Sequence, residues 1–429
     1  MDRLQKLALW HQVSSADYLG PIRFRTLWEN LRDDIGRIFQ MSDTELLKFK
    51  GAITKQNVKG IREQADRYEK SLDFMRRQLE AADKYGGQIL TLDDPQYPEP
   101  LRKSKMSHAI IYCVGQVGKF ARYDKAIAIV GTRKAAQQSL TTAYEVARDL
   151  AAKGWVIVSG LAKGIDSAAH KGALDAGGKT IAVVGCGPDF IYPPDSRDLY
   201  ERIRADGLIL SEFAFGTKPE DWKLKKRNKT TVALATAVFI VETGARGGTM
   251  NAVKSCREQH KRPCVLLPTW SCDRSGNVKA IEDGGVLVSP MPDLPSVLAV
   301  HVDRAQGVDK TLDVGGLLAE CIQGVHASEL FQHANEFHLN DSTYRIRVYL
   351  LQEGPAVYRV VGEKLDTRKH VWTRVYEKGH VCENLSSSAM DESLIGGWVQ
   401  QARAKIETRT RKRVRKPTSE DGLSPGVLA

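Results

Sequence analysis

Six short apolar runs decide the fold: AIAIVG (126–131), VIVSG (156–160), TIAVVG (180–185), LILSE (208–212), VFIVE (238–242) and CVLLP (264–268). Runs this apolar suit strands of a parallel sheet covered on both faces, not a sheet with one wet side. Amphipathic helical segments separate them. TTAYEVARDLAAKG (141–154) puts Ala143, Val146, Ala147 and Leu150 on one face and closes on Gly154. DSAAHKGALDAGG (166–178) offers Asp166 as a helix N-cap and ends on paired glycines. Strand, helix, strand in this repeat predicts an α/β fold, an extended Rossmann-like, doubly wound and mostly parallel sheet.

Glycine-rich or cationic turns close four of these runs or follow shortly after: GTRK (131–134), SGLAKGIDSAAH (159–170), KKRNKTT (225–231) and RGGT (246–249). In an open α/β sheet, ligands bind outside the carboxyl ends of the strands. The four turns therefore describe one surface. Its chemistry suits anions: N–H groups freed by glycine, helix N-termini, and Arg or Lys side chains. The candidate phosphate-binding residues are Gly131, Thr132, Arg133, Ser159, Gly160, Lys163, Lys225, Lys226, Arg227, Asn228, Lys229, Arg246, Gly247, Gly248 and Thr249. Arg133 can grip phosphate bidentately. Trp222, just ahead of the basic cluster, can stack on a base or pack beneath the loop.

These residues resemble the DprA family, also called Smf, the bacterial DNA-processing proteins of natural transformation. The family pattern VG(S/T)R, IVSGLA(R/K)GID..AH..AL, a Gly-rich turn with IYP, then SE, RN(R/K) and a small-residue turn is met in order, with GCGP at 185–188 and IYPP at 191–194. LTLDDPQYPEPLR (90–102) resembles the family's entry segment, and the likeness covers about residues 1–290. It implies a Rossmann-like homodimer that binds single-stranded DNA and loads a RecA-type recombinase, with no cofactor. Two departures stand out. The aromatic-proline pair before RN(R/K) is missing, and Arg246-Gly247-Gly248 replaces the family's Ser-Gly-Ser.

Four segments are expected: a helical module over 1–85, the Rossmann-like domain over 86–296 ending in SPMPDLPS (289–296), a divergent α+β region over 297–402, and a basic tail over 403–429. The tail has too few apolar residues to fold alone and suits non-specific contacts with DNA. The 429 residues carry 63 Lys and Arg against 52 Asp and Glu, a net charge of +11, which favours polyanionic partners. No apolar run of membrane length and no signal-peptide pattern is present, so a cytoplasmic, non-membrane protein is expected. Seven cysteines without CxxC spacing read as reduced thiols.

No catalytic or metal residues are expected. The first turn is not G-x-G-x-x-G, and no Walker A motif occurs. Asp166 and His170 sit at i and i+4 but lack a third ligand, so His170 reads as a packed residue. His326, His333 and His338 are too widely spaced for a zinc turn and read as helix and loop histidines. RGGT also resembles the GG-x-GT turn of nucleotide phosphoribohydrolases. Those enzymes need a Glu soon after Gly-Thr, whereas Asn251 and Ala252 follow here. The rival expectation is a nucleotide sensor or nucleotide-processing enzyme on the same fold, in a setting such as phage defence.

Overall fold

In a computed structural model, the described residues are 1–31, 34–49, 53–266, 268, 271 and 273–288, the backbone of strands 335–339, 344–352, 356–366 and 371–382, and Gln400. The chain forms two compact units, Met1–Ala280 with Gly285–Val308, and Ile281–Gly284 with Asp309–Ala429.

The first unit opens with five helices, α1 (Arg3–Ser14), α2 (Pro21–Leu31), α3 (Asp43–Leu47), α4 (Lys55–Gln64) and α5 (Tyr68–Tyr85). Capping boxes at Asp2 and Gln5, Ser42 and Glu45, and Thr54 and Asn57 satisfy free N–H groups at three of their starts. Gly86, at φ 64°, ends α5 in the left-handed conformation that glycine adopts without strain. This helical segment belongs to the same unit as the sheet. Gln78 Nε2 donates to Phe215 O at 3.3 Å, and Lys6 pairs with Asp93 at 2.8 Å.

The remaining elements are β1 (Gly87–Thr91), α6 (Glu99–Lys103), β2 (Ile110–Gly115), β3 (Ala126–Val130), α7 (Gln137–Ala152), β4 (Val156–Ser159), α8 (Ile165–Asp175), β5 (Lys179–Val183), α9 (Arg197–Asp206), β6 (Leu208–Ser211), α10 (Asp221–Lys226), α11 (Asn228–Leu234), β7 (Ala237–Ile240), α12 (Gly248–Glu258), β8 (Cys264–Leu266), α13 (Ser275–Glu282) and β9 (Val286–Val288). They form one nine-stranded sheet in the order β1-β2-β6-β5-β4-β3-β7-β8-β9. Pairing is parallel from β6 to β9 and antiparallel at β1–β2 and β2–β6. All six apolar runs are strands. Every residue of β3 and β4 is buried, as two-sided coverage requires. Ile127, Ile157 and Phe239 from the sheet, with Val146, Leu150 and Trp155 from α7 and its exit, belong to one buried cluster.

Three findings differ from the sequence reading. β1 and β2 extend the sheet by antiparallel pairing where only an entry segment was expected, since they stand outside the strand-helix-strand repeat. β9 was also not expected. Asp166 is not the N-cap of α8. That position is Gly164, at φ 82°, and Asp166 lies inside the first turn facing Arg227.

The second unit contains β10 (Asn335–Leu339), β11 (Tyr344–Gln352), β12 (Ala356–Asp366) and β13 (Val371–Cys382), an antiparallel sheet in sequence order. His338 lies on β10, so it is a strand residue and not a helix or loop one. His326, His333, the segment 289–296 and the basic tail 403–416 lie outside the described residues.

Candidate nucleic-acid interface

β3 sends the chain to β4 on one side, and the chain returns to β7 on the other. The carboxyl ends around this reversal are where an open α/β sheet makes room for a ligand. At the end of β3, a Cβ on Gly131 would lie 2.5 Å from Ile165 Cγ1 and 3.0 Å from Glu242 O, so only glycine fits. Thr132 N donates to Glu242 O at 2.7 Å. The buried Glu242 carboxylate accepts from Ala136 N at 3.0 Å and from Ser271 Oγ at 2.6 Å. It thereby holds Ala136, the residue before α7, and fixes the turn that carries Arg133.

At the end of β4, Leu161 is fully buried at φ 59°, a left-handed conformation that costs a non-glycine residue about 1–2 kcal/mol. Its neighbour Gly160 faces the Arg227 guanidinium, whose Nη2 donates to Gly160 O at 3.1 Å. Arg227 is only 6% exposed and lies 3.5 Å from Asp166 Oδ2. Burial pulls the Arg227 pKa down and the Asp166 pKa up, while each partner's charge opposes the shift. Arg227 Nε has no hydrogen-bond partner among the described residues. Ser159 is fully buried beneath this surface, where its Oγ donates to Ile129 O at 2.6 Å and its hydroxyl also bonds the Asp166 carboxylate.

Between these turns lies a cavity of about 200 Å3. Arg133, Gly160, Ala162, Lys163 and Arg227 form its polar side. Val184, Gly185, Cys186, Tyr192, Pro193 and Leu224 form the rest. A Cβ on Gly185 would meet the Leu224 backbone at 2.8 Å, so this glycine lets α10 close over the cavity. Lys163 pairs with Asp195 and Arg227 with Asp166. Arg133 is therefore the one lining cation without an acidic partner among the described residues. The cavity presents one net positive charge, the complement of one phosphodiester.

The basic cluster disperses. Lys225 is exposed. Lys226 Nζ pairs with the buried Glu212 at 2.7 Å, and Lys229 pairs with Glu258 at 2.9 Å. Asn228 Nδ2 donates to Gly248 O at 2.9 Å, tying α11 to the start of α12. There Gly247 is the N-cap at φ 141°, Arg246 is exposed and Thr249 is buried. The buried Asn277 accepts from Thr243 N at 2.7 Å and donates to Val241 O and Leu266 O, which holds this loop. Trp222 is 54% exposed. Its ring packs edge-on to Phe213 at 5.9 Å, its Nε1 donates to Glu220 at 2.8 Å, and Lys223 Nζ lies 5.4 Å from its centroid.

The structure thus brings Arg133, Gly160, Lys163 and Arg227 to one cavity and joins the Arg246–Thr249 turn to it through Asn228. Sequence reasoning gave no role to Tyr192, Pro193, Asp195, Cys186 or Leu224. IYPP was visible as a motif, but nothing local showed that it folds over the cavity. No group of three or more His, Cys, Asp or Glu side chains is placed to hold a metal ion among the described residues. No described helix is long and apolar enough to cross a membrane.

The family model for DNA recombination-mediator protein A matches residues 88–298. The chain is 37% identical over 192 residues to protein Smf of Synechocystis, covering 44% of this chain and 48% of that protein, so it spans about half of this relative's length. It is 33% identical over 203 residues to the DNA processing protein DprA of Streptococcus pneumoniae, covering 47% of this chain and 71% of the relative. The X-ray structure of DprA from Streptococcus pneumoniae superposes with a TM-score of 0.53 at 25% identity, covering 65% of this chain and 93% of that one. With the parallel sheet, the strand-end turns and the matched sequence in agreement, the chain belongs to the DprA (Smf) family of DNA recombination-mediator proteins.

Proposed function

We propose that this protein binds single-stranded DNA at the strand-end cavity, without catalysis, and passes the strand to a RecA-type recombinase as a homodimer. The carrying observation is the cavity's charge. Two of its three cations are neutralised by Asp166 and Asp195, and Arg133 is left for a backbone phosphate. Its size suits one nucleotide unit at a time. Exposed Trp222 offers a flat ring for a neighbouring base, a contact worth about 1–3 kcal/mol and tolerant of sequence. Membership of a family of recombination mediators supports a DNA strand as the ligand.

Two features support a binding role over turnover. Both Glu242 oxygens are engaged in holding the fold, and Asn251 and Ala252 occupy the positions where a hydrolase would carry its acid. The rival reading, a sensor of free nucleotides, draws on the same one-nucleotide cavity. A binding titration across single-stranded DNA, duplex and mononucleotide over a salt series separates them. Preference for single strands of any sequence, with log K falling against log salt by about 0.7 per phosphate contacted, supports the proposal. Tighter binding of a mononucleotide than of an oligonucleotide overturns it.

A further inference from the structure

Beneath the basic hairpin of α10 and α11 is a buried charged cluster that the cavity does not use. Glu212, at the exit of β6, has a side chain 3% exposed. Its Oε2 lies 2.7 Å from Lys226 Nζ and 3.7 Å from His108 Nδ1, and its Oε1 has no hydrogen-bond partner among the described residues. His108 Nε2 lies 2.8 Å from Thr230 Oγ1 on α11. The Tyr97 hydroxyl donates to His108 O and accepts from His108 N, and Arg102 and Cys113 are further titratable groups around Tyr97. Lys226 differs from its partner in being half-exposed, and it sits one residue from Arg227 at the cavity wall.

A buried carboxylate that loses its only close cation incurs several kcal/mol unless another charge replaces it. On the single-strand reading, a strand running past Arg227 would offer the half-exposed Lys226 a rival anion in its phosphates. His108 is the one group positioned to replace it. We propose that His108 and Glu212 form a proton-linked latch on Lys226: a phosphate of the bound strand captures the ammonium, and His108 takes a proton from solvent at Nδ1 and becomes the counter-ion of Glu212. The balance is one proton taken up per Lys226 transferred: an N–H bond forms at His108 Nδ1 with a proton from solvent, and no bond between heavy atoms is made or broken.

The electrostatics run in the required direction. In the free protein, burial and Lys226 lower the basicity of His108, and Glu212 raises it. Departure of Lys226 removes one lowering influence, while burial still lowers the basicity of His108 and Glu212 still raises it. DNA binding is then linked to protonation, so affinity rises as pH falls. The latch also holds the basic hairpin in one position before the strand arrives, since Glu212 is anchored in the sheet and Lys226 and Thr230 are on the hairpin.

The inference rests on the single-strand reading above. Its test is isothermal titration of a 20-mer oligothymidylate between pH 6.5 and 8.5 in buffers of different ionisation enthalpy. The wild type is expected to take up as much as one proton on binding, with affinity rising by up to about tenfold per pH unit. His108→Asn should lose the uptake and the pH dependence while keeping wild-type affinity at pH 8.5. Lys226→Met, altered at a half-exposed side chain, should lose the uptake and bind more weakly, and it serves if the histidine variant does not fold. Equal uptake in wild type and variants, or tight binding by the wild type without uptake, overturns the latch and leaves the single-strand reading intact. Failure of the wild type to bind oligothymidylate overturns both.

Discussion

The Arg227 guanidinium fills the space that a side chain at position 160 would need: a Cβ on Gly160 would lie 1.7 Å from Arg227 Nη1. The glycine of the SGLAKG turn is there for a cation belonging to a different turn. That pairing converts two separate motifs into one wall of the cavity.

Gly160→Ala should therefore expel the guanidinium and leave Asp166 buried without its partner. Breaking a buried ion pair costs about 3–5 kcal/mol. Urea denaturation should show a loss of that order together with lost DNA binding. A variant as stable as the parent would mean that Arg227 has another equally good position.

Arg133→Ala tests the cavity without touching the core, since Arg133 is exposed and has no acidic partner among the described residues. Loss of one charged hydrogen-bonding group should cost about 1.5–3 kcal/mol of affinity for single-stranded DNA. The log–log salt slope should become shallower by about 0.7. Unchanged affinity and slope, measured by fluorescence anisotropy, would put the phosphate path elsewhere.

Glu242 is expected to matter for stability and not for turnover. Glu242→Ala removes the acceptor for Ala136 N and Ser271 Oγ and should cost about 1–3 kcal/mol in a thermal or chemical melt. Wild type and variant alike should release no ribose 5-phosphate from nucleoside monophosphates. Turnover in the wild type that disappears in the variant would favour the nucleotide-enzyme reading.

Acid should destabilise the fold through the buried His170 and the half-buried His11. Burial lowers the pKa of His11 from 6.5 to about 4 and that of His170 from 6.5 to about 3. Below pH 6.5 the unfolded chain gains protons that the folded one does not accept. Their contribution is thus fully present above pH 6.5 and is lost as pH falls toward 4 for His11 and 3 for His170. Each histidine should give a slope approaching about 1.4 kcal/mol per pH unit. Denaturation midpoints between pH 6.5 and 4 should show this fall, and His11→Gln should remove about half of it.

The parallel strands were legible because each is a run of adjacent apolar residues, and a strand with no polar face is stable only when both of its sides are covered. The same logic found the turns at their ends. It did not find β1 and β2, which join the sheet by antiparallel pairing outside the strand-helix-strand repeat. Asp166 illustrates a second limit. An Asp near a helix start reads as a cap, but here the nearby Arg227, sixty-one positions away in sequence, claims the carboxylate.

Among the fifteen candidate residues, the sequence by itself determined which turns carry glycine and cations, because those are properties of residue type at a strand end. Only the tertiary structure decided what each one does. Ser159 spends its hydroxyl on Ile129, Asn228 its amide on Gly248, Lys226 is held by Glu212, and Arg227 lies against Gly160 and Asp166. Arg133 alone among the lining cations remains without an acidic partner within the described residues. The availability of a charge is set by the acids that packing brings within about 4 Å of it. Those acids come from distant segments, so the local pattern of the sequence does not contain them.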